Sequence, residues 1–436
     1  MKIPEILLVE TVHKPGALAS VLQVIADEQL VIEHLQSLRR DQGRTLWEIT
    51  VEFDEAANPL LYARIDELPN ARFAGKSDRV FNRHRGGKIR MQASLPITTK
   101  QILRDIYTPG VARVCLAIRD DPGKANLYTN RPNTVAVVTN GTAVLGLGDI
   151  GPVAGLPVME GKAALFAALV GITAVPILID TRDSARVIDT VVAIAPSFGA
   201  IQLEDIAAPD CFTIEQALVE RLSIPVLHDD QHGTAVVALA ALLNGARRVG
   251  RPLRNSVVGQ VGLGAAGIGI ARLLKAHGVA SLLGADLRED ARHRFEQLGG
   301  MRAELPELMA RADVVIATTG VRGLIKPEWV RTGQVIFALS NPDAEIEPLV
   351  ALERGAAFAA DGKSINNVSG FPGLFKGALE AGVPRFTDGM LMAAAACLAQ
   401  LAGPDELLPD PLDLETHKAV TAAVRAAAIE PVSAAL

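Results

Sequence analysis

The sequence has few cysteines, few aromatic residues and no long uninterrupted apolar segment. Its 436 residues include three cysteines, Cys115, Cys211 and Cys397, which are far apart and form no CxxC pair. This pattern is typical of reduced thiols in a cytoplasmic protein, and argues against disulfides or a zinc site. Every apolar stretch is interrupted before about 18 residues, so we expect neither a membrane span nor a secretion signal.

The charge and apolar content are those of a globular chain. The formal net charge is -6, and the lysine and arginine residues are scattered along the sequence. This argues against nucleic-acid binding and favours small-molecule partners. Apolar residues make up 49% and charged residues 21% of the chain, a mixture typical of α/β proteins. At roughly 100–200 residues per domain, we expect three domains.

The first eighty or so residues combine strand and helix patterns. In the segment 46–53, apolar residues alternate with Glu48, Thr50 and Glu52, which predicts a half-buried antiparallel strand. The predicted elements are a strand at 6–11, a helix opened by Pro15-Gly16, strands near 31–39 and 46–53, a helix near 59–68 and a strand near 71–74. This order predicts a βαββαβ unit with a ferredoxin-like fold.

With His-Lys-Pro-Gly at residues 13–16, this unit resembles the ACT domain, a small regulatory module that often binds amino acids. The resemblance covers residues 1–78 and implies an amino-acid or metabolite effector. A ferredoxin-like dimerisation module without a ligand is the alternative. A basic segment at 82–90 is the expected linker. Strands and helices alternate from there to the end, which predicts parallel sheets covered by helices.

A glycine-rich motif, Gly-Leu-Gly-Ala-Ala-Gly at residues 262–267, follows an apolar strand and opens a helix that runs to about His277. The next strand ends at Asp286, near the spacing expected for an acid that binds the adenosine ribose. In this context the motif predicts a dinucleotide site with the pyrophosphate at the helix N-terminus. A glycine-rich turn without a ligand is the alternative.

The residues after that strand bear on cofactor choice. Asp286 would accept hydrogen bonds from the ribose hydroxyls of NAD and repel a 2′-phosphate. Arg288 would instead attract the 2′-phosphate of NADP. We expect NAD as the preferred cofactor, with NADP possible.

Acidic residues follow two other apolar strands. Glu204 and Asp205 come after Ala-Ile-Gln-Leu, and Asp229 and Asp230 come after Ile-Pro-Val-Leu-His. Ligands of open α/β sheets gather at these strand ends, and clustered buried carboxylates repel one another unless a cation joins them. Oxygen ligands favour Mg²⁺ or Mn²⁺. The alternative is that Asp230 only caps a helix near Gly233 and that Glu204 is solvated.

Lys162 and Tyr107 are candidates for proton transfer. Lys162 follows a glycine at the entrance to an Ala/Leu-rich helix, where partial desolvation is expected to lower its pKa toward that of a useful base. A surface lysine is the alternative. Tyr107 is one of three tyrosines in the chain, and could act as an acid or belong to the core.

Taken together, these segments resemble the bacterial malic enzymes. The resemblance runs from about residue 85 to about residue 400, in the order of the family. It rests on Ile-Tyr107-Thr-Pro-Gly-Val-Ala, Asn140-Gly-Thr-Ala-Val-Leu-Gly-Leu-Gly-Asp-Ile-Gly, Pro157-Val-Met-Glu-Gly-Lys162, Leu203-Glu-Asp-Ile, His228-Asp-Asp-Gln-His-Gly-Thr-Ala, Ser340-Asn-Pro and Asn366-Asn-Val-Ser-Gly-Phe-Pro-Gly.

The resemblance implies oxidative decarboxylation of L-malate to pyruvate and CO2, with reduction of NAD(P). It implies Tyr107 as general acid, Lys162 as general base, and Asp229 beside the metal. The implied metal ligands are Glu204, Asp205 and Asp230. The implied cofactor residues are Gly262, Leu263, Gly264, Ala265, Ala266, Gly267, Asp286 and Asn341, while Asn341 and Asn367 would reach the nicotinamide side and a substrate carboxylate.

The expected fold class is α/β: an N-terminal ferredoxin-like βαββαβ module, a malic-enzyme catalytic α/β domain and a Rossmann-type NAD(P)-binding domain. The expected boundaries are 1–80, 81–229 and 230–436. The segment after Asp286 is shorter than the family's usual one, and Arg104 and Arg113 are candidates to grip a substrate carboxylate. The apolar helix after Met390 favours a homodimer or larger homo-oligomer. Two functional alternatives are a malolactic-type enzyme and a non-catalytic sensor of amino acids or nucleotides.

Overall fold

The computed structural model describes residues 3–53, 59–341 and 344–429. The chain divides into two compact units, Met1–Lys88 and Ile89–Leu436. Pro342, in the predicted Ser-Asn-Pro motif, lies outside the described residues. The three cysteines are free thiols, as predicted.

The first unit contains one antiparallel sheet with helices, in the order βαββαβ. Its strands are arranged β2-β3-β1-β4. The elements are β1 (Ile3–Val12), α1 (Ala17–Asp27), β2 (Val31–Asp41), β3 (Arg44–Phe53), α2 (Pro59–Asp66), β4 (Ala71–Lys76) and α3 (Arg79–His84). The predicted elements are therefore present in the predicted order, with longer strands than the sequence pattern indicated.

The alternation predicted for β3 holds for its apolar face but not for Glu48. Ile49 and Val51 are fully buried, in a core that they share with residues of α1 and α2. Glu48, expected on the solvated face, is 2% exposed. Its carboxylate pairs with Arg79 of α3 at 2.6 Å and accepts a hydrogen bond from Gln36 at 2.6 Å. The ion pair and hydrogen bond compensate for burial of the charge.

The second unit begins with helices and a four-stranded parallel sheet, arranged β6-β5-β7-β8. Its elements are α4 (Lys100–Ile106), α5 (Val111–Asp120), α6 (Ala125–Tyr128), β5 (Thr134–Thr139), α7 (Pro152–Val170), β6 (Thr173–Leu178), α8 (Ser184–Ile194), β7 (Ala200–Leu203), α9 (Asp210–Arg221), β8 (Val226–His228) and α10 (Asp229–Arg248). Because the strands are parallel, their carboxyl ends lie along one edge.

A six-stranded parallel sheet follows, arranged β11-β10-β9-β12-β13-β14. Its elements are β9 (Val257–Val261), α11 (Ala265–His277), β10 (Ser281–Ala285), α12 (Glu289–Gln297), β11 (Met301–Arg302), α13 (Leu305–Arg311), β12 (Val314–Ala317), β13 (Val335–Ala338), α14 (Pro348–Glu353) and β14 (Phe358–Asp361). The chain continues with α15 (Phe371–Ala381), α16 (Asp388–Leu401) and α17 (Leu414–Ile429). The strand order reverses at β9, where a doubly wound sheet binds its ligand.

Helix α10 connects the two parallel sheets. It is buried along most of its length, and one apolar core runs from Val135 of β5 through α10 to Val258 and Val314 of the six-stranded sheet. The two sheets are thereby held in a single packed unit.

Among the described helices, α7 alone is long and apolar enough to cross a membrane by length and composition, which is weak evidence by itself. Core helices of globular proteins have the same composition. Met159, Lys162 and Phe166 of α7 are buried within the unit.

Candidate active site

The four acids identified in the sequence lie at the carboxyl ends of neighbouring strands. Glu204 and Asp205 directly follow β7, and Asp229 and Asp230 directly follow β8, which pairs with β7. Glu204, Asp205 and Asp229 are each at most 4% exposed. The parallel pairing of the two strands brings together residues that are 25 positions apart in the chain.

Three of these acids converge on one point. One oxygen from each of Glu204, Asp205 and Asp230 lies within 4.8 Å of the other two. Asp205 has a left-handed backbone, with φ of 53°, and its N–H donates to Asp230 Oδ2 at 2.9 Å. Burial and the neighbouring acids raise the pKa of Glu204 well above its ordinary value, against the attraction of Lys162. This repulsion favours a cation at the cluster.

The donor set fits a hard divalent cation. All three donors are carboxylates, which suit Mg²⁺ or Mn²⁺ better than zinc. Asp229 Oδ1 is also buried without a hydrogen-bond partner among the described residues. Glu204, Asp205 and Asp230 could therefore hold a metal ion, with Asp229 beside them.

Lys162 reaches the acids from α7. Its Nζ lies 2.6 Å from Asp229 Oδ2 and 3.0 Å from Glu204 Oε1, and 4.3 Å from the centre of the Phe371 ring. Burial by itself lowers the pKa of Lys162, but the attraction of Asp229 and Glu204 outweighs it and raises the pKa above its ordinary value. The expectation of a lowered pKa for Lys162 is therefore wrong, because two carboxylates are buried beside the lysine.

Asp229 is held by two hydrogen bonds from distant parts of the unit and by a glycine one turn along its own helix. Its Oδ2 accepts hydrogen bonds from Lys162 and from Asn367 Nδ2 at 2.5 Å. Gly233, one helical turn later, lies against the same carboxylate, and a Cβ atom there would be 2.0 Å from Oδ1. The side chain of Asp229 is consequently fixed on the lysine side of the acid cluster.

Tyr107 occupies a different environment from the acids and Lys162. It ends α4, and its side chain is 68% exposed. Its hydroxyl makes no hydrogen bond to any residue that the structure describes. Arg104 and Arg113, the candidate carboxylate-binding residues, are exposed near it. The structure thus brings together Lys162, Asn367 and the acids, but leaves Tyr107 on the surface of the chain.

The glycine-rich turn lies between β9 and α11. Gly262 has φ of 85°, a conformation that favours glycine. At Gly267 a Cβ atom would lie 2.0 Å from the carbonyl oxygen of Gly262, so the helix packs directly on the turn. Gly264, by contrast, faces open space with no atom within 4 Å of a Cβ position. This opening at a helix N-terminus fits a pyrophosphate.

Asp286 lies next to this turn at the end of β10. Its Oδ2 accepts the Leu263 N–H at 2.7 Å, and its Oδ1 accepts the Arg288 N–H at 2.8 Å. The Arg288 guanidinium pairs with Asp290 at 2.6 Å. Asn341 is exposed and follows β13, which is the neighbour of β12 in the six-stranded sheet. The predicted ribose acid is therefore held by backbone donors on both oxygens.

Sequence reasoning missed a group of polar residues behind the acids. Glu215 of α9 binds the backbone N–H of His228 and the side chains of Gln231 and His232. His228, Gln231 and His232 belong to the motif that contains Asp229 and Asp230, and the pairing of two histidines with an amide beside two acids was an available signal. Glu215 lies in an ordinary helical pattern, so the sequence gave no signal for it.

Comparison with known proteins identifies the family. A model described as malic enzyme, N-terminal domain, matches residues 86–219, and one described as malic enzyme, NAD binding domain, matches residues 231–299. The NAD-dependent malic enzyme 1 of Bacillus subtilis is 49% identical over 98% of both chains. The NAD-dependent malic enzyme of Geobacillus stearothermophilus is 45% identical over 83% of this chain and 80% of its own.

Two further relatives bear on activity and fold. The bifunctional malic/malolactic enzyme of Bacillus subtilis is 40% identical over 79% of this chain and 90% of its own. The crystal structure of the NAD-dependent malic enzyme of Thermotoga maritima matches with a TM-score of 0.75 and 39% identity, over 80% of this chain and 99% of its own. The chain belongs to the malic enzyme family, and its activity is the NAD-dependent oxidative decarboxylation of malate.

Proposed function

We propose that Lys162 and the neighbouring acids form the catalytic centre for malate oxidation and decarboxylation. The observation that carries this assignment is the position of Lys162 Nζ, buried between Asp229 and Glu204 beside three converging carboxylates. A lysine so placed is within reach of a substrate bound at the acid cluster. Glu204, Asp205 and Asp230 are the proposed metal ligands, and Mg²⁺ or Mn²⁺ the proposed ion.

In the oxidation step, Lys162 in its neutral form accepts the proton of the C2 hydroxyl of malate; a cation held by Glu204 would offset the carboxylate charge that raises the pKa of the lysine. When bound, NAD would supply the acceptor for the hydride from C2, and a cation held by Glu204, Asp205 and Asp230 would supply positive charge near the C2 oxygen in this step and in the decarboxylation that follows. Asp229 holds Lys162 in place by accepting its hydrogen bond at Oδ2, and Asn367 donates to the same oxygen and so fixes the Asp229 carboxylate. Oxaloacetate is the product of this step.

In the decarboxylation step, CO2 leaves and the remaining enol must be protonated at C3. We assign this proton to Tyr107, with Lys162 returning a proton to assist. Because Tyr107 is exposed in the single chain, this role requires the segment around α4 to meet the acid cluster in the active assembly. Both steps use the same substrate oxygens, so a single pocket serves for both.

The cofactor site is proposed at the carboxyl edge of the six-stranded sheet. Residues 262–267 hold the pyrophosphate, where Gly264 leaves open space at the start of α11. Asp286 accepts hydrogen bonds from the ribose hydroxyls, which favours NAD over NADP. Two backbone N–H groups support this role, because they fix the position of the Asp286 carboxylate. Asn341 lies on the nicotinamide side, and Asn341 and Asn367 meet a substrate carboxylate.

The first unit is proposed to be regulatory. Its βαββαβ order and the β2-β3-β1-β4 sheet support a ferredoxin-like fold, and the His-Lys-Pro-Gly turn supports an ACT-like module that binds an amino acid or metabolite. We place domain boundaries at 1–80, 81–229 and 230–436. A cytoplasmic homodimer or larger homo-oligomer is the proposed form.

The first experiment measures reduced-cofactor formation from L-malate with Mn²⁺, in parallel with NAD and NADP, and assays pyruvate and lactate in the products. We expect pyruvate in amounts that match NADH, and faster turnover with NAD than with NADP. Removal of any one acid ligand abolishes both oxidation and decarboxylation, since both use the same cation. Pyruvate formation that persists in Glu204→Gln would contradict the metal assignment.

The same experiment tests a malolactic activity, in which the cofactor is retained and lactate released. The similarity to a bifunctional malic/malolactic enzyme favours measuring it. Lactate without net NADH would identify that reaction.

A further inference from the structure

A buried carboxylate outside the acid cluster lies between β13 and α14. Glu345 is 0% exposed, and hydrogen bonds compensate for its burial. Its Oε1 accepts from the Thr319 N–H at 2.6 Å, the Thr319 hydroxyl at 2.8 Å and the Ser340 hydroxyl at 2.5 Å. The Ser340 N–H lies 3.4 Å from Oε2, and the Ile325 N–H donates to the Glu345 carbonyl oxygen at 3.0 Å. Glu345 therefore joins the segment after β12 to the segment after β13.

The carboxylate also determines how two hydroxyl groups are oriented. A carboxylate only accepts hydrogen bonds, so the hydroxyl protons of Thr319 and Ser340 both point to Glu345. Each hydroxyl oxygen in turn accepts a backbone N–H. Ser340 Oγ accepts the Gly320 N–H at 2.7 Å, and Thr319 Oγ1 accepts the Val321 N–H at 3.1 Å. Through these two hydroxyls, Glu345 fixes the backbone that follows β12.

The two segments lie where the second half of a dinucleotide would extend. The strand order β11-β10-β9-β12-β13-β14 has its switch point between β9 and β12, and a dinucleotide lies across that point. Asp286, the proposed acid for the adenosine ribose, follows β10 on one side of β9. The nicotinamide half is therefore expected on the other side, over the segments after β12 and β13. Asn341, proposed for the nicotinamide side, directly follows Ser340.

We propose that Glu345 is a positioning residue for the nicotinamide half of the cofactor site, which acts by holding the segments after β12 and β13 in the conformation that binds the ring. Segments that are ordered before binding lose less conformational entropy when the ligand binds, and this raises affinity. The inference rests on the cofactor site proposed at residues 262–267.

The glycine-rich turn has supports that do not involve Glu345. Gln260 Nε2 donates to the Gly262 carbonyl oxygen at 3.1 Å and lies 3.0 Å from Thr318 Oγ1. The side chain of Gln260 is fully buried on β9. Loss of the Glu345 contacts should therefore disturb the nicotinamide half and leave the pyrophosphate half in place.

The test compares Glu345→Gln with Glu347→Gln. Glutamine has nearly the size of glutamate, but it lacks the charge that strengthens these hydrogen bonds and replaces one acceptor oxygen by a donor. Glu347 is two residues along the chain, is exposed, and makes no side-chain hydrogen bond to the N-terminus of α14. It therefore controls for loss of a negative charge in this part of the sheet edge.

The measurements are the Kd for NADH and the Kd for ADP-ribose, both from calorimetry on the full chain. ADP-ribose has the phosphates and both riboses of NADH but lacks the nicotinamide ring. We expect E345Q to weaken NADH binding about tenfold, as for one hydrogen bond to a charged group, and to change the ADP-ribose affinity less than about twofold. E347Q retains both affinities.

Equal NADH affinity in E345Q and E347Q would overturn the inference. A parallel loss of NADH and ADP-ribose affinity in E345Q would overturn it too, since the damage would then extend beyond the nicotinamide half. The same holds for a wild-type chain that binds NADH no more tightly than ADP-ribose, because the ring would then add no affinity for Glu345 to preserve. A wild-type chain that binds neither ligand overturns the proposed cofactor site itself.

If E345Q fails to fold, Ser340→Ala supplies the second test. It removes the hydroxyl between Glu345 and the Gly320 N–H and leaves the carboxylate in place. We expect weaker NADH binding with ADP-ribose affinity retained, and unchanged NADH affinity in S340A would overturn the inference.

Discussion

At the residue scale, the protonation of Lys162 depends on neighbours that are far away in the sequence. The sequence predicted a partly desolvated lysine at the entrance to an apolar helix; the burial is observed, but Lys162 lies in the middle of α7, which begins at Pro152. The predicted direction of the pKa change was wrong, because Asp229, which raises the pKa, is 67 positions away and belongs to another helix, α10. The grouping of the acids was predictable, since parallel strands end at a common edge.

Replacement of Lys162 by alanine is expected to reduce catalysis without disrupting the fold. We expect kcat for malate oxidation to fall about 10²–10⁴-fold, the usual contribution of a general base, with the NAD affinity retained. Absorbance of NADH measures turnover, and calorimetry measures NAD binding. Lys418→Ala is the matched control, since Lys418 is an exposed lysine that pairs with Glu415 on α17. Normal turnover in K162A would remove Lys162 from the mechanism.

Asp290 is expected to contribute to the preference for NAD by binding the Arg288 guanidinium, which is then not available to the 2′-phosphate of NADP. Two guanidinium nitrogens of Arg288 bind the Asp290 carboxylate, at 3.0 and 2.6 Å, and a third lies 3.3 Å from the Ala208 carbonyl oxygen. In Asp290→Asn the guanidinium becomes available to a 2′-phosphate. We expect the Kd for NADP to fall about tenfold, as for one charged hydrogen bond of about 1.5 kcal/mol.

Calorimetric titrations with NAD and NADP measure this change. Glu289→Gln is the matched control, because Glu289 is the adjacent acid on α12 but binds Arg302 instead. An equal gain in NADP affinity in D290N and E289Q would attribute the effect to net charge and refute the specific role of Asp290.

At the element scale, the sequence predicted which segments form strands and helices, but it did not predict which of their side chains other elements bury. The βαββαβ order and the strand before the glycine-rich turn follow from local patterns, which need no tertiary information. Burial of Glu48 required Arg79 of α3, a helix that the sequence analysis did not predict and that overlaps only the start of the expected linker at 82–90. The start of α10 at Asp229, before the expected position near Gly233, places both acids in the first helical turn.

Two glycines of the turn between β9 and α11 are expected to respond differently to alanine. In Gly267→Ala the new Cβ atom meets the Gly262 carbonyl oxygen, so both thermal stability and NAD binding should fall. In Gly264→Ala the Cβ atom projects into open space, so the melting temperature should remain near that of wild type while NAD binding weakens by about tenfold or more. Differential scanning fluorimetry and calorimetry measure the two properties. Unchanged NAD affinity in G264A would place the pyrophosphate elsewhere.

At the scale of the whole molecule, the chain combines a separable first unit with a larger unit that contains the acid cluster and the glycine-rich turn. The Thermotoga maritima structure is matched over nearly its full length by about four-fifths of this chain. About one-fifth of this sequence therefore has no counterpart in that malic enzyme structure. The sequence patterns predicted three domains, whereas the structure has two compact units, since one apolar core runs through α10 and both parallel sheets. The surface position of Tyr107 could not be predicted from local patterns, because it depends on how α4 and α5 pack.

Removal of residues 1–88 is expected to leave malate oxidation in place and to abolish any response to amino acids. The acids, Lys162 and residues 262–267 all belong to the second unit, and a ligand of the first unit acts only through its different affinity for two states of the enzyme. Turnover is measured for the full and shortened chains with each common amino acid at about tenfold intervals of concentration. A response present in the full chain and lost in the shortened one supports a regulatory role. A response that persists after removal places the effector site in the second unit, and an unresponsive full chain favours a dimerisation module, which the oligomeric state of the shortened chain then tests.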